Sequence, residues 1–400
     1  MKGPGPDSGF DAGPQEALTG FIPGATINLN HFPDADSMRA ARESTNRKGR
    51  GRRVGRLLSL DALRGLAVVF MIGQHLVYWL GAELSTSLTL RAFGALGGLA
   101  APLFVTLSGL GAALLGGRHE NPDRLLLARG LMVMGFAYLL NFLTPHWFSM
   151  QSWYVLHLIG FGLLTAPLLR RAPNGFLFAL VFIVIAATAG LQNYLDTPLR
   201  LSNARMAETD LPGGLLRLAA AESYFPILPW MALFIAGHLA GRWLACGRPE
   251  KMAGLGLGLA AGALLLSILY LAGFDFTRTA LLVRVFKPIP YFYPALAPVT
   301  LFLMAAALVF IYIFVHVEDQ WQIRAPDVLV ALGRCSLSLL ILHVAILREA
   351  AVRVHFWRSL STPATVALTL AVIAGFTLMA VLWAKANFRY GAEWLLRRWG

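Results

Sequence analysis

Charged residues are scarce in this chain: Asp, Glu, Lys and Arg together make up 14% of its 400 residues, whereas soluble proteins carry about 25%. Hydrophobic residues make up 57%. A soluble protein of this size needs charge to cover its surface, and apolar runs of about 20 residues have the length that crosses the hydrocarbon core of a bilayer. The composition therefore excludes a soluble enzyme and predicts an all-α, polytopic integral membrane protein.

Cysteine is almost absent. The two residues present, Cys246 and Cys335, are too few for a disulfide framework or a cysteine zinc site. The His, Asp and Glu residues show no metal-ligand spacing, and the sequence has neither a Gly-rich phosphate loop with its Lys nor a Gly-x-Ser-x-Gly motif. We therefore expect no metal and no serine-hydrolase chemistry.

The basic residues are unevenly distributed. The net charge is +13, and eight Arg or Lys residues fall within 38–56 beside a single acidic residue, Glu43. A nucleic-acid-binding protein would carry such charge as a patch on a folded domain, whereas a basic cluster before an apolar segment is typical of cytoplasmic anchoring to anionic lipid. We expect residues 1–56 to be a disordered cytoplasmic tail and exclude a nucleic-acid partner.

Ten hydrophobic segments follow this tail, and they predict about ten transmembrane helices around a polar cavity. We expect a membrane domain over 57–390 and a short cytoplasmic tail over 391–400. Basic residues are balanced between alternate loops, so the two basic tails decide the orientation and predict a multi-pass inner-membrane protein with both termini inside. The segments cover residues 57–80, 92–116, 124–143, 153–169, 175–191, 225–245, 253–273, 290–315, 328–348 and 363–385.

The first segment carries three polar side chains at membrane depth, where such groups are costly and indicate function or pairing. Asp61 and Arg64 are three residues apart, so they can pair on one helical face. His75 follows Arg64 by 11 residues, about three turns, which puts both on the same face some 16 Å apart. Either Arg64 reaches back to the membrane surface, or this face presents a cation and a general base to one cavity.

Further polar residues are predicted to share one layer with His75 near the outer leaflet. Each also has a plainer interpretation, because histidines and amides join helices by hydrogen bonds and tryptophans form interfacial belts. Together they predict a substrate-binding region. These residues are Asn141, His157, Glu222, Trp230 and His343.

Five short motifs occur in order along the chain. They are Ser59-Leu-Asp-Ala-Leu-Arg-Gly-Leu-Ala67 with His75, Ala101-Pro-Leu-Phe-Val-Thr-Leu-Ser-Gly109, Tyr154-Val-Leu-His-Leu-Ile-Gly160, Tyr224-Phe-Pro-Ile-Leu-Pro-Trp230 with Gly237-His-Leu-Ala-Gly-Arg242, and Leu332-Gly-Arg-Cys-Ser-Leu-Ser-Leu-Leu-Ile-Leu-His343. In this order they resemble the bacterial branch of the heparan-alpha-glucosaminide N-acetyltransferase family, within the transmembrane acyltransferase superfamily.

The resemblance implies an enzyme that moves an acyl group, typically acetyl, from cytosolic acyl-CoA to a sugar or glycan hydroxyl or amine across the membrane. It implies a donor-binding role for Arg64 and a chemical role for His75. In the mechanism we expect, Arg118 and Arg124 help Arg64 to attract the CoA phosphates. His75 takes the proton of the acceptor, oriented by Asn141 or His157, and Ser108 or interfacial amides stabilise the oxyanion.

Two other functions remain open. A transporter or flippase would use the same polar cavity as a path, although the matched broken helices of two repeated halves are missing from the sequence. A non-catalytic membrane scaffold would use the polar residues only to join helices, and it would not need Arg64 and His75 on one face.

Overall fold

The computed structural model describes residues 57–399 except 116–119, 290–291, 319, 322 and 325–326. The predicted N-terminal tail, residues 1–56, lies outside the described residues. Within the described part the chain is helical, and its β contacts are limited to an isolated bridge between Gly81 and Leu360. The all-α fold class is confirmed.

A helix or a pair of helices forms at each of the ten hydrophobic segments. The largest shift in position is in the eighth, where the helix begins at Ala297 rather than near residue 290. The helices are α1 (Leu58–Leu80), α2 (Leu88–Gly97), α3 (Ala100–Leu115), α4 (Pro122–Leu143), α5 (Val155–Arg171), α6 (Asn174–Tyr194), α7 (Ile227–Ala245), α8 (Glu250–Leu271), α9 (Ala297–His316), α10 (Val328–Arg334), α11 (Ser336–His343, continued by helical turns to Arg353), α12 (Thr362–Lys385) and α13 (Ala392–Trp399).

The described residues contain eight or nine candidate membrane spans, where the sequence predicts about ten. In the described part, eight spans are long and apolar enough to cross a bilayer, with α2 and α3 counted together as one of them. The pair α10 and α11 is bent by 74° at Cys335 and would be a ninth. Helix α5 has 17 residues, about one turn less than the roughly 20 that cross the hydrocarbon core. A hydropathy pattern does not show that a segment is broken or short. For this reason the sequence predicts a full span both at α5 and at the pair α10 and α11.

Small residues bring the central helices together. A Cβ atom at Gly237 of α7 would lie 2.0 Å from the Thr106 carbonyl oxygen of α3, and one at Gly109 would lie 2.0 Å from the Phe234 carbonyl oxygen. These two helices can therefore approach only because both positions lack a side chain, as is common in membrane helix pairs.

Helix α10 crosses α1 in the same way. A Cβ atom at Gly65 would lie 1.9 Å from the Leu329 carbonyl oxygen, and one at Gly333 would lie 1.8 Å from the Asp61 carbonyl oxygen. Because the later residue of α10 meets the earlier residue of α1, the two helices run antiparallel. The contact delivers Arg334, at the end of α10, to the polar start of α1.

The long connection between α6 and α7 is folded against the helices rather than free. It contains the short helical turns Gly214–Arg217 and Leu218–Glu222. Its buried carboxylate, Glu222, accepts hydrogen bonds from Thr197 (2.6 Å) and from two arginines, Arg205 (2.8 Å) and Arg217. This polar cluster fixes the entry into α7.

Candidate active site

The two histidines predicted from the first and ninth segments are in direct contact. His75 Nδ1 lies 2.8 Å from His343 Nε2, and the two ring planes, with centroids 5.1 Å apart, are tilted by only 18°. His343 is fully buried, and its Nδ1 lies 2.8 Å from the Leu339 carbonyl oxygen one turn earlier in α11. His75 is partly accessible. His343 is therefore the buried, fixed member of the pair, and His75 is the partly accessible one.

This arrangement determines the protonation of both rings when they are neutral. A carbonyl oxygen only accepts hydrogen bonds, so His343 Nδ1 carries a proton and donates it to Leu339. His343 Nε2 then has a lone pair and accepts the hydrogen bond from His75 Nδ1. The remaining nitrogen of His75, Nε2, is left with a lone pair. That atom can take a proton from a bound molecule.

Tryptophans hold the His75 ring from two sides. Trp79, one turn later in α1, stacks on it at 5.0 Å between centroids, and Trp147 meets it edge-on at 5.5 Å. Trp147 belongs to the loop between α4 and α5. Two indoles and the His343 ring restrict the rotation of His75 and shield it from bulk water.

The predicted residue Asn141 anchors the loop that carries Trp147. Its side-chain amide donates to the Ser152 carbonyl oxygen at 3.1 Å, and the residue is 2% exposed. On the other side of the loop, His146 Nδ1 lies 2.5 Å from a carboxylate oxygen of Glu349, and Arg348 donates to the His146 carbonyl oxygen at 3.1 Å. Asn141 thus acts on His75 through Trp147 rather than by direct contact.

His157 and Trp230 lie at the same end of the structure but do not contact His75 directly. Both are fully buried. His157 accepts the Tyr154 backbone N–H at 3.4 Å. A series of ring contacts leads from Trp147 to both side chains. It runs through Phe148 and Tyr154 to His157, and through Phe148, Tyr224, Tyr293 and Phe225 to Trp230.

Tyr224, at the centre of these rings, is a neutral side chain. Burial raises its pKa to about 12, although the charge of Arg348 opposes the shift. Its phenol is therefore no base at neutral pH. Glu222, two residues earlier, is fully buried, with its oxygens used by Thr197, Arg205 and Arg217. These contacts occupy both of its oxygens within its own polar cluster, and none of them joins Glu222 to the histidine pair.

A second polar region lies at the opposite end of α1. It is a cavity of about 530 Å³ whose lining includes Asp61 and Arg64 of α1 and Ser108 of α3. The predicted pairing of Arg64 with Asp61 is present at 3.1 Å, and Arg334 Nε lies 3.7 Å from the other oxygen of Asp61. The Ser108 hydroxyl donates to the Phe104 carbonyl oxygen at 2.7 Å.

Among the described residues four arginines line this cavity, and three of them were not predicted as site residues. Besides Arg64 they are Arg129 of α4, Arg334 of α10 and Arg397 of α13, against two acidic residues, Asp61 and Glu393. Arg129 and Arg334 interrupt apolar segments just as Arg64 does, and that signal was available in the sequence. Of the two other arginines that were predicted beside Arg64, Arg124 is exposed and does not line the cavity, and Arg118 lies outside the described residues.

The cavity extends from the start of α1 toward the histidine pair. Leu57 lines one end. Leu340, which also lines it, precedes His343 by three residues, less than one helical turn. Leu156, adjacent to His157, is part of the same lining. The lining therefore comes within a few residues of both histidines along the chain, although neither His75 nor His343 is among the lining residues.

Metal ligands are not assembled in the part of the chain that the structure describes, where no group of three or more His, Cys, Asp and Glu side chains could hold an ion.

The family model for the heparan-alpha-glucosaminide N-acetyltransferase catalytic domain matches residues 56–268. That is 213 of 400 residues, just over half of the chain. The chain belongs to this family. No protein of curated function matches it significantly.

Membership of this family assigns the chain to the membrane acetyltransferases and confirms the resemblance found in the sequence. The family implies acetyl-CoA as the donor. The matched region includes Arg64, His75 and Arg129 and ends within α8. His343, Arg334 and α13 fall beyond it, and three-dimensional contacts connect them to the site.

Proposed function

We propose that the protein is a membrane-bound acyltransferase that moves an acetyl group from cytosolic acetyl-CoA to a hydroxyl or amine of a sugar or glycan on the outer side of the membrane. The donor enters the arginine-lined cavity at the start of α1. The acceptor meets its thioester at His75. The protein lies in the inner membrane, and both chain termini are on the cytoplasmic side.

The arginines of the cavity attract the phosphates of the donor, because phosphate is matched by guanidinium groups in a partly enclosed site. Arg64, on α1, guides the pantetheine arm toward the histidines. The apolar walls around Leu156 and Leu340 suit the arm itself.

His75 is the general base. Its Nε2 lone pair takes the proton of the acceptor hydroxyl or amine as the acceptor attacks the thioester carbonyl. The new carbon–oxygen or carbon–nitrogen bond forms, the carbon–sulfur bond breaks, and the CoA thiolate leaves. The thiolate then receives the proton from His75 Nε2–H, which restores the starting tautomer.

His343 is a positioning residue. By accepting from His75 Nδ1 it keeps the lone pair at Nε2, and it stabilises the imidazolium that forms during the reaction. The contact between His75 and His343, 2.8 Å long and fixed by the Leu339 carbonyl oxygen, is the observation that carries this assignment.

The test is acetyl transfer by the full-length protein in nanodiscs, with labelled acetyl-CoA and a panel of amino sugars and glycans. The variants are His75→Ala and a matched control, His316→Ala, because His316 is exposed at the far end of α9. We expect CoA release and acetylated product with wild type and the control, and a loss of about 10²- to 10⁴-fold in His75→Ala. Equal rates in both variants, or no turnover by wild type with any acceptor, would overturn the proposal.

A further inference from the structure

The last eight residues of the described chain form a helix that lines the cavity, although the sequence pattern predicted a short tail. Helix α13 contributes Glu393, Leu396 and Arg397 to the lining. Because Glu393 and Arg397 are four residues apart, they project from one face of the helix.

Helix α13 is attached to the bend between α10 and α11. Glu393 accepts the backbone N–H groups of Leu337 (2.5 Å) and Ser338 (3.1 Å), and its second oxygen accepts the Ser338 hydroxyl at 2.5 Å. The Ser338 hydroxyl oxygen in turn accepts the Ala392 N–H at 2.8 Å. The break at Cys335 leaves the first N–H groups of α11 without helical acceptors. Glu393 accepts hydrogen bonds from two of them.

This attachment brings two arginines of like charge together. Arg397 and Arg129 both line the cavity, where their like charges repel each other. Arg129 Nε is buried and has no hydrogen-bond partner among the described residues. In the described part of the chain, four arginines and two carboxylates line the cavity. Several cations that line one cavity, together with a buried N–H that has no partner in the described part, form a site for a multiply charged anion.

We infer that α13 completes the donor site, and that Arg397 and Arg129 together bind the phosphates of the acyl-CoA nucleotide. The inference rests on the proposed function, since the donor is the anion concerned. Helix α13 adds to the donor site a segment that lies beyond residues 56–268, the region that the family model matches. The C-terminal helix then acts on donor affinity and not on the chemistry at His75.

The experiment compares Arg397→Ala with Arg398→Ala in full-length protein. The two residues are neighbours, but Arg398 does not line the cavity and lies over the Trp394 ring at 5.1 Å. Two donors are used: acetyl-CoA and acetyl-phosphopantetheine, which has the same thioester but no nucleotide. Binding of CoA itself is measured in parallel, without an acceptor.

We expect Arg397→Ala to raise the KM for acetyl-CoA and the Kd for CoA about 10- to 100-fold, the range for loss of a charge-assisted hydrogen bond. The kcat and the KM for acetyl-phosphopantetheine should not change, and Arg398→Ala should match wild type. Equal behaviour of the two variants, or an equal effect on both donors, would overturn the inference. Wild type that binds CoA through Arg397 but transfers nothing would support the inference and defeat the proposed function; wild type that does not bind CoA would defeat both.

Discussion

His75 and His343 are separated by 268 residues in the chain, yet His75 Nδ1 lies 2.8 Å from His343 Nε2. The hydrogen bond from His343 Nδ1 to the Leu339 carbonyl oxygen sets the direction of this contact. A backbone carbonyl of α11 thereby determines whether Nε2 of the partly accessible residue His75 carries a proton or a lone pair. Under the proposed function, the reactivity of His75 therefore depends on the packing of α11.

The first prediction concerns His343. His343→Ala removes the acceptor of His75 Nδ1, so His75 can adopt the other tautomer and lose its lone pair at Nε2. We expect kcat to fall about 10- to 100-fold, as for other residues that fix a histidine tautomer, with the KM for acetyl-CoA unchanged. The pH dependence of kcat should also shift, because the imidazolium loses a partner. A fall in folded yield with an unaltered pH profile would mean that His343 only fills space.

The second prediction concerns the attachment of α13. Glu393→Ala removes three hydrogen bonds that join α13 to the start of α11. We expect protease cleavage near residue 391 to become faster and CoA affinity to fall, while saturating acetyl-CoA restores kcat. The matched control is Glu250→Ala, at the exposed start of α8. Unchanged cleavage in Glu393→Ala would contradict the role of Glu393 in holding the helix.

The third prediction concerns stability at Glu222. Burial by itself raises the pKa of this carboxyl, but the hydrogen bonds and charges of Arg205, Thr197 and Arg217 outweigh it and hold the pKa below its ordinary 4.5. Glu222→Gln should therefore lower the free energy of unfolding at pH 7 by about 3 kcal/mol, the cost of breaking a buried ion pair.

The sign of the pH dependence follows from this lowered pKa. The carboxylate stabilises the folded protein above pH 4.5 and loses that contribution as the pH falls through the depressed pKa. Thermal unfolding of the detergent-solubilised protein should thus separate wild type from Glu222→Gln at pH 7, and the difference should shrink only below pH 4.5. A constant difference across this range would contradict the ionised state of Glu222.

The fourth prediction concerns helix packing. Gly237→Ala places a methyl group against the Thr106 carbonyl oxygen, at 2.0 Å before relaxation. Because backbone cannot move aside as a side chain can, we expect destabilisation of about 1–3 kcal/mol or more and a lower melting temperature. Gly258→Ala is the control, since nothing lies within 4 Å of the added atom. If both substitutions left the melting temperature unchanged, the close contact of α3 with α7 would be contradicted.

The sequence predicted the helical class and the polar face of α1 because both depend on local spacing. Hydropathy marks each apolar run, and 11 residues return a helix to the same face, so Arg64 and His75 could be placed from the chain alone. The same argument applied to Arg129 and Arg334 would have found two further arginines of the cavity. Both were instead counted among the loop residues.

Other parts of the site depend on contacts that no local pattern records. His343 was placed at the right depth, but its contact with His75 follows from the bend at Cys335 and the packing of α11. Helix α13 is too short and too charged to stand out by hydropathy, and its position depends on Glu393. The predicted orientation of His75 by Asn141 or His157 also differs from the structure, where His343 is the direct partner.

The most direct test of the account uses proteoliposomes with acetyl-CoA added outside and an amino sugar acceptor enclosed inside. If donor and acceptor enter at opposite ends of the protein and meet at His75, acetylated sugar should accumulate inside vesicles with wild type and with His316→Ala, and not with His75→Ala. CoA should appear outside at the same rate. Acetylated sugar that forms only when donor and acceptor share a compartment, or forms equally with His75→Ala, would contradict the account.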